Sequence, residues 1–523
     1  MLIITKTKKV INVVKHILCK SILMLFLFIL LLIFFSSNWF LETFGKMDFS
    51  IVVYQLFSPM EGTSAEILGK YYCDCFRPAV GITVAIMFVY TFCDIIFRKC
   101  FLSIHILFLN RKIQLTIDKK FCYIYKWILI VAGMTVLLFI CVNKAIVLGI
   151  PEYIHEITNV STLFEEEYVD PEEKEIVFPD KKRNLLLIYM ESMEATFASV
   201  EDGGGKSINY IPELTELAKD NLNFSDGDKL GGAHVYTNGW TMAGLLASST
   251  GVPYKLPVEG NSAGEYESFL PGITSLGDIL YSEGYTNYFM CGSDAAFGGR
   301  KAFYQQHGNY EILDYLVAKE QGVIPKDYNV FWGMEDEKLY GYAKEELSNI
   351  AAKGEPFNFT ILTVDTHHSD GYFCEKCENR YPEQYANVIA CASKQVYDFL
   401  KWVEEQDWYE NTTIVIVGDH TGMNNTFFGD IGDYQRNIYN CFINYSDTGS
   451  TINATHREFS AFDMFPTILA SLGVRIEGNR LGLGVNLFSD EQTIPEVLGE
   501  ETFTIELKKY SNYYFNKFVL DRE

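Results

Sequence analysis

The sequence predicts an α/β protein in which helices lie on both sides of a largely parallel β-sheet, preceded by an α-helical membrane region. Two observations lead to this fold class. Three long apolar runs occur within residues 1–150, and from Asn184 onward short apolar runs alternate with helical patterns. Such alternation is typical of a parallel sheet built from β–α units. The 523 residues are enough for a membrane region and a large globular domain.

The three apolar runs are long enough to predict transmembrane helices. They are centred on Ser21–Phe35 or extend over Pro78–Phe97 and Trp127–Ile150, and a helix of about 20 apolar residues crosses a bilayer. The first run is not followed by a small-residue cleavage site, so we interpret it as an uncleaved anchor. Residues 1–150 are therefore predicted to be a membrane domain with three transmembrane helices. The apolar stretch Cys100–Leu109 is too short to span and predicts an interfacial helix.

The distribution of basic residues predicts the orientation in the membrane. Lysines precede the first apolar run, and lysines and arginines follow the second, whereas the loop between these two runs carries mainly acids. Basic loops stay on the cytoplasmic side. We therefore expect a multi-pass protein of the cell membrane with a cytoplasmic N-terminus and with everything after Ile150 outside the cytoplasm.

The charge changes sign sharply along the chain. Residues 1–150 hold 16 Lys and Arg against 7 Asp and Glu, whereas the remaining residues hold 27 against 60. So acidic a domain repels the phosphates of nucleic acids, and therefore no nucleic-acid partner is expected. Residues 151–183 contain "FEEEYVDPEEKE" and predict a solvated acidic linker. Residues 184–523 are predicted to be the extracytoplasmic catalytic domain.

Four predicted strands are each followed by residues that can perform chemistry. The strands are Asn184–Met190, Tyr288–Cys291, Phe357–Val364 and Thr413–Gly418, and the residues that follow them are, in the same order, Glu191, Asp294, the cluster Asp365–His368, and Asp419 with His420. In open α/β sheets, ligands bind beyond the carboxyl ends of the strands. A set of Glu, Asp and His suits a divalent cation such as Mn²⁺, Mg²⁺ or Zn²⁺. Taken singly, each residue also has a structural explanation, such as a helix cap or a surface histidine pair.

Thr241 stands at the predicted start of a helix in "YTNGWTMAGLLASSTGVPY". One interpretation is an N-cap threonine, which is common at this position. The other is a nucleophile, because a helix N-terminus favours negative charge and a nearby metal ion could lower the pKa of the hydroxyl. The residues alone leave both interpretations open.

Cys374 and Cys377 have the C-x-x-C spacing. This spacing occurs in zinc and redox sites, but neither a second C-x-x-C nor a histidine pair accompanies it. In an exported domain, a structural disulfide is favoured instead.

Five segments of the chain together resemble the lipoteichoic-acid-synthase and phosphoglycerol-transferase branch of the alkaline phosphatase/sulfatase superfamily. They are "LLLIYMESMEATF", "GWTMAGLLASSTGVPY", "FLPGITSLGDIL", "FTILTVDTHHSDGYF" and "IVIVGDHTGMNNT". The stretch Phe459–Gly473 is similar to the closing helix of this superfamily. The C-x-P-x-R or S-x-P-x-R motif of the sulfatases themselves does not occur in the chain.

The resemblance implies an alkaline-phosphatase/sulfatase-like fold and a set of site residues. Glu191, Thr241, Asp419 and His420 are expected to bind one Mn²⁺ or Mg²⁺, with Mn²⁺ favoured, and Thr241 is expected to be the nucleophile. The expected substrate-binding residues are His367, His368, Arg300 and Asp294. The resemblance also implies a disulfide between Cys377 and Cys391, which leaves Cys374 free.

The activity implied by the resemblance is that of a membrane-anchored phosphoglycerol transferase. Glycerol phosphate would pass from phosphatidylglycerol in the bilayer, through a phospho-threonine, to an extracytoplasmic glycan or polyglycerol-phosphate acceptor. Two alternatives are a phosphodiesterase, in which water is the acceptor, and a non-catalytic membrane scaffold with a decayed domain. Decay usually removes a metal ligand or the nucleophile, and all four residues of the expected set are present.

Overall fold

A computed structural model describes the chain apart from residues 1, 45–48, 50–51, 54–64, 100–102, 109–110, 117–118, 238, 256–268, 425, 447–451 and 523. The chain divides into two compact units. The N-terminal unit comprises Met1–Asp48 and Ala65–Pro151, and the C-terminal unit comprises Phe49–Ser64 and Glu152–Glu523.

The α-helices in the described part of the N-terminal unit are α1 (Leu2–Phe44), α2 (Ala65–Tyr71), α3 (Arg77–Lys99) and α4 (Lys119–Val147). Three stretches are long and apolar enough to cross a membrane, namely Ile17–Thr43, Leu68–Phe92 and Ile130–Val147. Their mean hydropathies are 2.9, 1.6 and 2.2. They overlap the three apolar runs of the sequence, and the prediction that these helices cross a membrane stays a prediction.

The prediction of an interfacial helix at Cys100–Leu109 is wrong for the residues that the structure describes. Strand β1 (Ser103–Phe108) pairs with the antiparallel strand β2 (Arg111–Thr116). The register places Ile104 opposite Leu115 and Ile106 opposite Ile113. Apolar residues alternate with polar ones in β2, and this period of two favours a strand over a helix.

The C-terminal unit is built on a seven-stranded sheet with the strand order β5-β10-β9-β4-β8-β6-β7. The strands are β4 (Asn184–Met190), β5 (Gly232–His234), β6 (Thr286–Cys291), β7 (Glu311–Leu313), β8 (Phe357–Leu362), β9 (Thr412–Gly418) and β10 (Asn437–Ile443). The five strands from β9 to β7 are parallel to one another, and β10 runs antiparallel to both of its neighbours. The predicted fold class, a largely parallel sheet with helices, is confirmed.

The helices of this unit connect the strands and cover the sheet. They are α5 (Ile150–Thr158, which begins at the boundary of the units), α6 (Leu163–Glu167), α7 (Pro212–Asp220), α8 (Thr241–Thr250), α9 (Leu276–Ser282), α10 (Arg300–Gln306), α11 (Tyr315–Gln321), α12 (Asp336–Ala351), α13 (Gln384–Glu404), α14 (Ala461–Ser471), α15 (Ile494–Leu498) and α16 (Glu500–Lys508). Two small antiparallel pairings join β3 (Ile176–Val177) to β11 (Arg475–Ile476) and β12 (Arg480–Leu481) to β13 (Gly484–Val485). Helix α14 confirms the closing helix expected at Phe459–Gly473.

The central strands were predictable because their apolar runs are continuous. Every residue of β4, β8 and β9 is buried, as expected for parallel strands that are covered on both faces. The observed bounds differ from the predicted ones by at most two residues. The carboxyl ends of these strands therefore bring the residues that follow them to one edge of the sheet.

The prediction of a solvated linker at residues 151–183 is wrong for its backbone and its apolar side chains. Phe164 is buried and packs against Tyr514 at a ring-centroid distance of 5.5 Å. The backbone N–H of Val169 donates to the carbonyl of Gly482, and β3 pairs with β11. Several of the acids remain exposed, as predicted. The composition of residues 151–183 correctly predicted that these acids are exposed to solvent. It did not predict that apolar residues between them pack into the C-terminal unit.

The predicted disulfide between Cys377 and Cys391 is not formed in this structure, because all three cysteines of the region are free thiols. Cys374, which was expected to stand apart, is central to the group. Its Sγ lies 3.6 Å from that of Cys377 and 3.9 Å from that of Cys391. Cys391 comes from α13, whereas the other two lie in the segment that follows β8. The fold thus adds a third thiol to the C-x-x-C pair.

Candidate metal and nucleophile site

Three residues from two adjacent strand ends form a buried cluster. Glu191 directly follows β4, and Asp419 and His420 directly follow β9, the neighbour of β4 in the sheet. Each of the three side chains offers a ligand atom, and these atoms all lie within 4.8 Å of one another. The exposures of the three residues are 3%, 1% and 1%. Strand order, which is not visible in the sequence, brings together residues that lie far apart in the chain.

The nitrogen of His420 lies between the two carboxylates. His420 Nε2 is 3.1 Å from Glu191 Oε1 and 3.6 Å from Asp419 Oδ2. Nδ1 of the same ring lies 2.8 Å from the carbonyl oxygen of Thr421. A carbonyl can only accept, so Nδ1 carries a proton and Nε2 is the nitrogen that can bind a metal ion.

Asp419 uses one carboxylate oxygen for the backbone and leaves the other for a ligand. Its Oδ1 accepts hydrogen bonds from the backbone N–H groups of Ser192 at 2.7 Å and His420 at 2.8 Å. Its Oδ2 is buried and has no hydrogen-bond partner within the described part of the chain. A buried carboxylate oxygen without a donor is costly, and a cation beside Glu191, Asp419 and His420 would satisfy it. The donor set of two carboxylates, an imidazole and a hydroxyl therefore fits a divalent cation.

Thr241 joins this cluster through its hydroxyl. It is the first residue of α8, and Trp240 occupies the N-cap position without a capping side-chain bond. Thr241 Oγ1 donates to Glu191 Oε2 at 3.2 Å and lies 3.5 Å from His420 Nε2. The interpretation of Thr241 as an N-cap is therefore wrong. Its oxygen faces the candidate metal ligands, and its position in the first turn of α8 favours negative charge there.

The pKa values of the three side chains show that a bound cation would stabilise the cluster. Burial raises the pKa of Asp419 to about 7, and the charge of Glu191 adds to this effect. Burial would lower the pKa of His420, but the charges of Asp419 and Glu191 outweigh it and raise this pKa to about 10. Burial also opposes ionisation of Glu191, but His420 and His367 outweigh it and hold the pKa of this carboxyl well below its usual range. Protons therefore balance the buried carboxylates, and a bound cation would take over this role.

His367, one of the two predicted histidines, lies within electrostatic range of the cluster. Its ring interacts electrostatically with Glu191 and His420. Burial lowers the pKa of His367, and Glu191 opposes this shift. Nδ1 of His367 lies 3.0 Å from the carbonyl oxygen of His368, so the neutral ring carries its lone pair on Nε2. A substrate contact of His368 remains a prediction.

Arg300 is buried, and uncharged oxygen atoms hold its guanidinium. Nη2 donates to Ser293 Oγ at 3.0 Å and to the carbonyl of Asp294 at 2.7 Å, and Nε donates to the carbonyl of Phe297 at 3.0 Å. Among the described residues no carboxylate forms an ion pair with Arg300, and its positive charge acts on His367. The carboxylate of Asp294 accepts from the backbone N–H of Ala296 and so shapes the loop around Arg300. Direct substrate contacts of Arg300 and Asp294 remain predictions.

Sequence reasoning missed residues that position the cluster. Ser192 has a positive φ of 53°, and its Oγ donates to Glu191 Oε1 at 2.8 Å. Thr363 Oγ1 accepts from the backbone N–H of Glu191 at 2.9 Å. The Trp332 ring lies 4.5 Å from that of His367. The positions of Ser192 and Thr363 at strand ends were a usable signal, whereas Trp332 comes from a loop whose path the sequence did not indicate.

Gly244 allows α8 to approach β9 closely enough for Thr241 to reach the cluster. A Cβ atom at position 244 would lie 1.8 Å from the carbonyl oxygen of Asp419. The helix and the strand end could then not keep their present separation. The absence of a side chain at Gly244 therefore sets the distance between the nucleophile candidate and the metal ligands.

Replacing Gly244 with alanine is expected to lower the free energy of unfolding of the C-terminal unit by about 1–3 kcal/mol, as overpacking does, and to reduce activity at least about tenfold. The matched control is Gly341→Ala. Gly341 lies in α12, and a Cβ atom added there would meet no atom within 4 Å, so this change should stabilise by up to about 1 kcal/mol. Thermal unfolding and turnover measure both effects. Unchanged activity and stability in Gly244→Ala would contradict the steric argument.

The sulfatase family profile matches residues 183–474, which is more than half of the chain. This chain belongs to the sulfatase family. The matched range contains Thr241, the cluster of Glu191, Asp419 and His420, and His367. The superfamily resemblance found in the sequence is thereby confirmed.

Proteins similar to this sulfatase-family chain include a phosphoglycerol transferase, a lipoteichoic acid synthase and a phosphoethanolamine transferase. Phosphoglycerol transferase I of Escherichia coli O127:H6 is 32% identical over 322 residues, which are 60% of this chain and 40% of the relative. The chain thus aligns with less than half the length of this relative. The lipoteichoic acid synthase LtaP from Listeria monocytogenes is 18% identical, with a TM-score of 0.45 and coverage of 62% of this chain and 80% of that chain. The phosphoethanolamine transferase EptA from Neisseria meningitidis is 13% identical, with a TM-score of 0.48 and coverage of 87% and 84%.

Proposed function

We propose that this chain is a membrane-anchored, metal-dependent phosphoglycerol transferase. The observation that carries the proposal is the contact of the Thr241 hydroxyl with Glu191 and His420, at 3.2 and 3.5 Å. A hydroxyl at a helix start and beside candidate metal ligands is suited to attack phosphorus. The name of the relative phosphoglycerol transferase I supports glycerol phosphate as the group transferred, with phosphatidylglycerol as its donor.

In the proposed first step, Thr241 Oγ1 attacks the phosphorus of phosphatidylglycerol. The bond from phosphorus to the diacylglycerol oxygen breaks, and glycerophosphoryl-threonine forms. The Thr241 hydroxyl, which donates to Glu191 Oε2 in this structure, gives up its proton to solvent, and the diacylglycerol oxygen takes up one proton from solvent. A divalent cation held by Glu191, Thr241, Asp419 and His420, with Mn²⁺ favoured over Mg²⁺, would supply the positive charge that makes the hydroxyl acidic.

In the proposed second step, a hydroxyl of an extracytoplasmic glycan or of a polyglycerol-phosphate chain attacks the same phosphorus. Nε2 of His367 has the lone pair that can accept the proton of this hydroxyl, because Nδ1 donates to the carbonyl of His368. Thr241 leaves and regains its proton. The positive charge of Arg300, held by neutral oxygen atoms, would favour the anionic phosphoryl group throughout.

The proposal is tested by analysing the products formed by the full chain in lipid vesicles. The vesicles contain phosphatidylglycerol labelled in its headgroup, and a parallel set contains labelled phosphatidylethanolamine. With glycan or polyglycerol-phosphate present, mass spectrometry should find labelled glycerol phosphate on the acceptor and an equal amount of diacylglycerol. Release of free glycerol phosphate at the same rate with and without acceptor would show a phosphodiesterase. No turnover of either lipid would favour the scaffold alternative.

We further propose that the N-terminus is cytoplasmic and that the C-terminal unit is extracytoplasmic, which follows from the basic residues around the three candidate spans. An alkaline phosphatase reporter, which is active only after export, should be active when fused after residue 151. The same reporter fused between Arg98 and Lys120 should be inactive. The opposite pair of results would reverse the orientation and place the site on the cytoplasmic side.

A further inference from the structure

We propose that Cys374, Cys377 and Cys391 form a Zn²⁺ site that is separate from the cluster of Glu191, Asp419 and His420. The three Sγ atoms lie within 4.8 Å of one another. Cys374 and Cys391 are buried, and Cys377 is half-buried. The sequence offers only a C-x-x-C pair, which is too few ligands for a zinc site, and the third thiol arrives through the packing of α13.

Two of the three distances between the sulfur atoms match the edge of a zinc tetrahedron. Zinc binds thiolate at about 2.3 Å in tetrahedral geometry, so its sulfur ligands lie about 3.8 Å apart. The Sγ atom of Cys374 lies 3.6 Å from that of Cys377 and 3.9 Å from that of Cys391. Cys374 therefore already has the separation from Cys377 and from Cys391 that one bound Zn²⁺ would require, and the third pair of sulfur atoms lies within 4.8 Å.

An amide donor beside the sulfur atoms suits thiolates. The side-chain amide nitrogen of Gln395 lies 3.5 Å from Cys391 Sγ and 3.8 Å from Cys374 Sγ. Such outer contacts orient the ligands of a metal and stabilise their negative charge.

The chemistry of the site selects a thiophilic cation and leaves one coordination position open. Binding of Zn²⁺ replaces the three thiol protons, so three protons are released and the site carries one net negative charge. A cavity reaches Cys391 and Gln395, and its lining includes Lys376 and Arg380. Both cations are paired with acids, Lys376 with Glu337 and Arg380 with Glu378. Water from the cavity can occupy the fourth position, as it does in other zinc sites with three protein ligands.

The expected role of the zinc is to fasten the segment after β8 to α13. This segment begins with His367 and is tied to the strand end by two backbone bonds. The N–H of Tyr372 donates to the carbonyl of Asp365 at 2.7 Å, and that of Gly371 donates to the carbonyl of His367 at 3.2 Å. At the far end of the segment, the backbone N–H groups of Arg380 and Tyr381 donate to Asn387 Oδ1 of α13. Zinc would add a stronger attachment to the same helix.

The test uses the full chain purified in detergent, with its metal content measured by plasma mass spectrometry. Wild type and Glu191→Gln should each contain about one equivalent of zinc, because the carboxylate is not part of the thiol site. Cys374→Ser should lose this zinc almost completely. The matched control is Cys441→Ser, which removes a buried thiol of β10 and should keep the zinc.

A second measurement needs no variant and identifies the ligands directly. Wild-type protein stripped of metal under reducing conditions is titrated with Co²⁺, which gives an intense near-ultraviolet charge-transfer band only when thiolates bind it. We expect this band to appear and then to disappear when Zn²⁺ is added. Absence of both zinc and the cobalt band, or a disulfide between any two of the three cysteines in freshly isolated protein, would overturn the proposal. None of these outcomes depends on the transferase activity.

Discussion

Thr241→Ala is expected to stop the release of diacylglycerol from phosphatidylglycerol, with a loss of turnover on the order of 10,000-fold or more, as removal of a catalytic nucleophile typically causes. The reason is that the oxygen which would form the covalent ester is gone. Glu191, Asp419 and His420 keep their positions in the buried strand ends, so metal binding should be weakened but the fold should persist. Labelled lipid in vesicles provides the measurement.

The same prediction has a direct readout in the wild type. Incubation with phosphatidylglycerol and no acceptor should load the peptide that carries Thr241 with one glycerophosphoryl group, visible by mass spectrometry after an acid quench. A competent acceptor should discharge it. The matched control is Ser249→Ala in the same helix, whose hydroxyl bonds only to the preceding turn, and this variant should stay active. Diacylglycerol release by Thr241→Ala at the wild-type rate would rule out the covalent mechanism.

Glu191→Gln is expected to lower the content of catalytic metal and to reduce turnover at least about 100-fold. Mutation of residues that only hydrogen-bond to metal ligands already lowers metal affinity or activity about 10- to 100-fold. Glutamine keeps the size of the side chain but removes one negative charge from a cluster in which Glu191 faces both Thr241 and His420. The measurements are manganese and magnesium content and turnover on labelled lipid.

A matched control separates this effect from a general loss of acidic charge. Glu355 is exposed and lies just before β8, at the opposite edge of the sheet, so Glu355→Gln should leave metal content and turnover unchanged. The thermal unfolding midpoint of Glu191→Gln should remain close to that of the wild type when no metal is added. Full metal occupancy with full turnover in Glu191→Gln would make Glu191 a structural residue only.

The sheet and the core of its site could be predicted from the sequence for one physical reason. Parallel strands that are buried on both faces need continuous apolar runs, so β4, β8 and β9 stood out as segments. Each apolar run ends where polar residues begin, so the sequence identified Glu191, Asp419 and His420 as candidate site residues without knowledge of the strand order. What the runs did not reveal was that β9 lies directly beside β4, and this neighbourhood creates the cluster.

The parts that could not be predicted depend on packing between distant segments. The third thiol, Cys391, is buried in α13 and gave no local signal of its relation to Cys374. Phe164 lies among acids that suggested a solvated linker, although it packs against Tyr514 near the end of the chain. Gly244 looks like an ordinary helix residue until the carbonyl of Asp419 is placed beside it. In each case a long-range contact determines the outcome, and local composition does not encode it.

The position of β4 between β8 and β9 determines how the site responds to heat. Strand β4 is paired along its whole length with β9 and from Leu185 to Tyr189 with β8, so its amides should be among the slowest in the chain to exchange with deuterium. Glu191 directly follows this strand, and Asp419 follows its neighbour. Local unfolding elsewhere in the protein should therefore not displace the carboxylates of Glu191 and Asp419. Activity should survive warming until the sheet itself unfolds, and it should then disappear in the same transition.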